Sequence, residues 1–122
     1  GLPGRDILIM SPYRRQIGLL EAAMRELGGS ASDVEVLTVD RAQGRAARCV
    51  IFSAVRSSSP GGEVGELLVD WRRVNVAMTR ARHKLVIIGS SGTLGGRGDE
   101  AGEGRAKLRE LVGLCHSRGW VV

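Results

Sequence analysis

The chain has 122 residues, 43% of them hydrophobic, which is enough for one ordinary domain with a core of its own. Its 18 basic residues outnumber 13 acidic ones for a net charge of +5, and all of the basic residues except Lys84 and Lys107 are arginine. No apolar run is long enough to cross a bilayer, Cys49 and Cys115 lack metal-site spacing, and His83 and His116 have no plausible nucleophile partner, so these features argue against a membrane span, a metal centre and a free-standing hydrolase. Guanidinium forks suit phosphate, which points to a nucleotide or nucleic-acid partner, although arginine-rich solvated faces from GC-rich coding account for the same excess. Two free thiols in apolar or helical patterns fit a reducing intracellular compartment, and a start at Gly1 fits a piece of a longer parent.

The elements follow in order. Ile7-Leu8-Ile9-Met10 is a continuous apolar run ended by Ser11-Pro12, the pattern of a strand buried on both faces. From about Arg14, Ile17, Leu20, Met24 and Leu27 recur at helical spacing until Gly28-Gly29. Residues 34–38 and 49–55 read as two further strands, with a tight segment from Val39 to Arg48 between them. Ser57 to Gly62 is a Ser/Pro/Gly loop, and Asp70 to Arg82 carries a helical stripe of Val74, Ala77, Met78 and Ala81. Leu85-Val86-Ile87-Ile88 predicts a strand closed by Gly89. The glycine-rich stretch 91–104 reads as a flexible loop, residues 105–116 as a last helix, and Trp120-Val121-Val122 as the start of another strand.

Unalternating strands separated by helices imply an α/β layered domain with a mainly parallel sheet. Such sheets bind ligands beyond the carboxyl ends of their strands, so the chemistry is expected at Ser11–Gln16, Thr38–Arg48 and the helix around Arg72–Arg82. An arginine ending that helix could aim its fork at an anion across an interface, as an arginine finger does during phosphoryl transfer. Asn75 and Thr79, weak helix formers, argue against a merely solubilising basic helix. Gly44 permits a positive φ or close backbone approach, and Gln43 both donates and accepts, although a lone Gln-Gly is weak evidence. Tyr13, the only tyrosine, suits a base stack or a hydrophobic staple for the helix that follows.

In this order the segments resemble the second RecA-like domain of superfamily 1B helicases, over residues 6–90. Ser11-Pro12-Tyr13-Arg14-Arg15-Gln16 is similar to helicase motif IV, Val36 to Arg45 to motif V, and Arg72 to Arg82 to motif VI. Within that group, residues 64–73 and 82–89 are most similar to the eukaryotic DNA replication helicase–nucleases, more so than to RNA helicases of decay pathways.

The resemblance implies a three-layer RecA-like fold without its own P-loop, residues 1–122 forming the domain, and a 5′-to-3′ DNA motor acting in replication and repair. It implies that ATP with Mg²⁺ is held mainly by a first RecA-like domain of the same polypeptide, and that the nuclease and iron–sulfur cysteines lie further upstream. Arg80 would reach the γ-phosphate, Gln43 and Gly44 would line the nucleotide cleft, and Pro12, Tyr13, Thr38 and Val39 would lie near single-stranded DNA or RNA. Arg73 and Asn75 would brace the motif VI helix against motif V. A nuclear location is implied, with the mitochondrion a second site and the cytoplasm the expectation for an RNA helicase. The chain departs from the group at Ala42, where an aromatic is usual, and at Ala46, where an acidic residue meets the ribose. Those departures motivate the alternative of a non-catalytic nucleic-acid-binding module derived from a helicase.

Overall fold

The computed structural model describes residues 1–54, 70–95 and 103–122. Its centre is a four-stranded, all-parallel sheet in the order β2-β1-β3-β4, made of β1 (Ile7–Ser11), β2 (Glu35–Thr38), β3 (Ala47–Ser53) and β4 (Ala81–Ile88). The helices are α1 (Arg14–Leu27), α2 (Trp71–Met78), the short α3 (Ser91–Gly95) and α4 (Glu103–Ser117). This is the expected RecA-like α/β architecture.

Alternation along the strands divides the apolar residues between two faces. Leu8 and Met10 of β1 and Val50 and Phe52 of β3 join Val74 and Ala77 of α2 and Leu108 of α4 in one core cluster. Ile9, Val36 and Cys49 are buried outside that cluster, and α1 packs on β1 and β2. Right-handed crossovers that leave β1 and β3 in opposite directions along the sheet put α1 and α2 on opposite faces. Val39 and Ala42, between β2 and β3, belong to the α2-side cluster, so this short connection runs over the same face as α2.

Three expectations need correction. The helix predicted over 70–82 stops at Met78, because Thr79 leaves the helical conformation (φ −89°, ψ 2°) and Ala81 is drawn into pairing with Ala47. Arg80 therefore lies in a turn and Arg82 on a strand. β4 begins at Ala81 rather than Leu85, since Ala81 pairs with Ala47 and the Arg80 carbonyl accepts the Ala47 N–H at 3.1 Å. Residues 82–84 are exposed, which hides that half of the strand from apolar patterning.

The stretch 91–104 is not simply a loop. Ser91–Gly95 is a helical turn that carries Leu94 into the core at 8% exposure, and α4 already starts at Glu103. Trp120–Val122 forms no strand: the Trp120 N–H closes α4 on the Cys115 carbonyl at 2.9 Å, and the Arg118 guanidinium sits 5.9 Å from the indole centroid. The predicted Ser57–Gly62 loop and residues 96–102 lie outside the described residues.

Candidate functional site

At the carboxyl edge of the sheet, β1 and β3 are neighbours whose connections diverge, which opens a crevice between them. A buried polar clamp spans it. Ser11 Oγ accepts the Tyr13 N–H at 3.2 Å and donates to Gln16 Oε1 at 2.8 Å, and Gln16 Nε2 donates to Ser53 Oγ at 2.7 Å. Ser11 and Ser53 are 0% and 4% exposed, so the clamp satisfies groups that would otherwise be costly to bury, and it fixes the turn that carries Pro12 and Tyr13. Sequence reasoning missed Gln16 and Ser53 as partners. The available signal was that each serine ends an apolar strand.

Pro12 and Thr38 line a cavity of about 120 Å³ together with Arg14, Arg41 and Arg73, over a floor that includes Val39 and Phe52. Val39 is only 5% exposed, so its side chain serves the core and its contribution to a ligand is limited to shape. Tyr13 is half-buried with its hydroxyl out of solvent and does not line this cavity. A second hollow of about 200 Å³ shares Val39, Asp40 and Arg73 and adds Gln43, Asp70 and Arg72.

From these hollows the connection 39–46 and helix α2 run side by side toward the amino edge of the sheet. Arg73 Nε ties them together at 3.2 Å from Asp40 Oδ1 and 3.9 Å from Asp70 Oδ2. Asp70 is also the N-cap of α2, accepting the Arg72 N–H at 3.0 Å. Asn75 is exposed, and its backbone carbonyl is what receives Thr79.

At the far end lies Arg80. Its Nη1 donates to the Arg45 carbonyl at 3.3 Å and its Nη2 to Thr79 Oγ1 at 3.1 Å, while the buried Nε has no hydrogen-bond partner among the described residues. Gly44, at φ +77°, turns the chain immediately before Arg45, whose side chain pairs with Glu35 at 2.9 Å.

The structure thus gathers Pro12, Thr38 and Val39 at one end of this face and Arg80 at the other, with Gln43 and Gly44 on the connection between them. One placement departs from expectation. Arg80 precedes β4 and sits at the amino edge, opposite the edge where ligand contacts were expected, because α2 runs antiparallel to the strands.

Residues 1–92 match the AAA domain family, AAA_12. The chain belongs to this family. It is similar to the DNA replication ATP-dependent helicase/nuclease DNA2 of Xenopus laevis, with 51% identity over 89 residues, covering 73% of this chain and 8% of that protein. The protein of the same name from Saccharomyces cerevisiae is 40% identical over 121 residues, covering 99% of this chain and 7% of its own length. The DNA replication ATP-dependent helicase/nuclease JHS1 of Arabidopsis thaliana is 41% identical over 95 residues, 77% of this chain and 7% of that protein. The chain therefore spans under a tenth of the length of these relatives.

The donor set of this AAA domain fits a partial nucleotide site. The Arg80 guanidinium, whose terminal nitrogens each keep a second N–H, and an exposed Gln43-Gly44 turn can meet anionic and polar groups. No group of three or more His, Cys, Asp or Glu residues that could hold a metal occurs among the described residues. Both carboxylates that line the hollows, Asp40 and Asp70, already face Arg73. Ala42 is fully buried, so the connection packs tightly there, and Ala46 is exposed with only a methyl side chain.

Proposed function

We propose that this chain is the second motor lobe of an ATP-dependent 5′-to-3′ DNA helicase of the helicase/nuclease type, acting in DNA replication and repair in the nucleus. The observation that carries the reading is the Arg80 fork, held at one end of the face formed by the connection 39–46 and α2, with Nη1 on the Arg45 carbonyl and Nη2 on Thr79 Oγ1. The identities of 40–51% to proteins named as DNA replication helicase/nucleases support the same reading.

ATP with Mg²⁺ would be held chiefly by a first RecA-like lobe of the same polypeptide, which supplies the phosphate loop and the acidic metal ligands. Arg80 would then complete the triphosphate site in trans, and Gln43 and Gly44 would line the cleft beside it. A cation preset where charge develops lowers the barrier without having to reorganise at the moment of reaction. At the opposite end, Pro12 and Thr38, with the arginines around their cavity, would follow the sugar–phosphate backbone of a single strand, and Val39 and Tyr13 would shape the rim. Closure of the two lobes on ATP would move this rim along the strand. Backbone contacts of this kind are salt-sensitive and largely blind to sequence.

The test is unwinding by the full-length protein on duplexes bearing a 5′ or a 3′ single-stranded tail, of DNA or of RNA. The reading expects ATP-dependent unwinding of the 5′-tailed DNA. Unwinding confined to 3′-tailed or RNA substrates would contradict it, and strand binding without ATP turnover would favour the non-catalytic module suggested by Ala42 and Ala46.

A further inference from the structure

We infer that Thr79 is a positioning residue for the Arg80 fork, acting through a hydroxyl whose only proton is already committed to the helix. The inference rests on the assignment of Arg80 as the finger and deepens it. Thr79 Oγ1 lies 2.8 Å from the Asn75 carbonyl and 3.4 Å from that of Val76. A carbonyl accepts but cannot donate, so the hydroxyl must spend its one proton there. Its lone pairs are then left facing outward, and Arg80 Nη2 donates to them at 3.1 Å.

The second rest for the fork is the Arg45 carbonyl, 3.3 Å from Nη1 and placed by the left-handed turn at Gly44. Side chain and backbone thus grip the two terminal nitrogens from opposite segments. Arginine has many rotamers, and a finger that must find its place anew in each cycle loses rate to that search. Thr79 is also the C-cap residue of α2, where its N–H makes the last i→i−4 bond to the Asn75 carbonyl and its hydroxyl shares that acceptor. The residue that closes the helical ladder is therefore also one on which the arginine rests. Valine has threonine's shape but can neither donate nor accept, serine keeps the hydroxyl, and cysteine keeps only a weak acceptor.

The experiment measures steady-state ATP hydrolysis, stimulated by single-stranded DNA, in the full-length protein. Variants are Thr79→Val, Thr79→Ser, Thr79→Cys, Arg80→Ala and Thr79→Val combined with Arg80→Ala, with a thermal unfolding curve for each. Thr79→Val is expected to lower kcat about tenfold with KM for ATP little changed, as the loss of one charge-assisted hydrogen bond predicts. Thr79→Ser should retain the parent rate, and Thr79→Cys should resemble valine, which keeps the comparison open if valine unfolds the domain. In the Arg80→Ala background, Thr79→Val should add nothing.

A parent-like kcat in both Thr79→Val and Thr79→Cys overturns the inference while leaving the finger intact. So does a Thr79→Val defect that persists undiminished in the absence of Arg80, since that marks a purely structural cap. A parent-like Arg80→Ala would remove the finger, and with it both readings.

Discussion

Gly44 and Arg80 show how individual residues set the geometry of this face. A Cβ added at Gly44 would meet nothing within 4 Å, so a substitution there is penalised only by its φ of +77°. Gly44→Ala is expected to cost about 1 kcal/mol in denaturant unfolding, with asparagine tolerated better. Gly4 is the opposite case: a Cβ there would collide with the Ser30 carbonyl oxygen, and the Gly4 N–H donates to Ser30 Oγ at 2.8 Å. Gly4→Ala should therefore lower the unfolding midpoint further than Gly44→Ala. At Arg80 the sequence showed the residue type and its neighbours Thr79 and Ala81. It did not show the fork's resting place, because the Arg45 carbonyl is 35 positions away and is backbone, which no side-chain pattern reports.

At the scale of elements, α2 leads into the turn that holds Arg80, and its two ends are held differently. Its start depends on Asp70, so Asp70→Ala is expected to cost about 1 kcal/mol in the same unfolding assay. The ion pair of Arg73 with Asp40 joins side chains that are 40% and 65% exposed. A double-mutant cycle between them should accordingly give a coupling of no more than about 1 kcal/mol, reduced further by added salt. Its value lies in keeping the connection 39–46 in register with the helix. The end of α2 was misread because Ala81 continues the helical stripe of Val74, Ala77 and Met78. That periodicity lost to parallel pairing with β3, which no local pattern encodes. In contrast, β1 and α1 were legible almost to the residue, since an unbroken apolar run, Pro12 and the Gly28 terminus are local signals.

For the whole molecule, the parallel sheet was readable from runs without alternation, but the assignment of each run to a face was not. The consequence is a core built around Phe52, Leu8 and Met10, each no more than 1% exposed. Phe52→Ala should destabilise the fold by about 3–5 kcal/mol and also open the floor of the cavity beneath Pro12 and Thr38. The net charge of +5 is carried almost wholly by guanidinium groups, of which Arg14 and Arg41 border that cavity. Each of them that contacts a strand phosphate should, when replaced by glutamine, reduce the slope of log affinity against log salt by about 0.7.

The central claim is that this lobe completes a triphosphate site gripped by another lobe, and Arg80→Ala in the full-length protein tests it most directly. Single-turnover ATP hydrolysis in saturating single-stranded DNA should fall roughly 10³-fold or more while ATP binding persists. Hydrolysis at the parent rate would contradict the account.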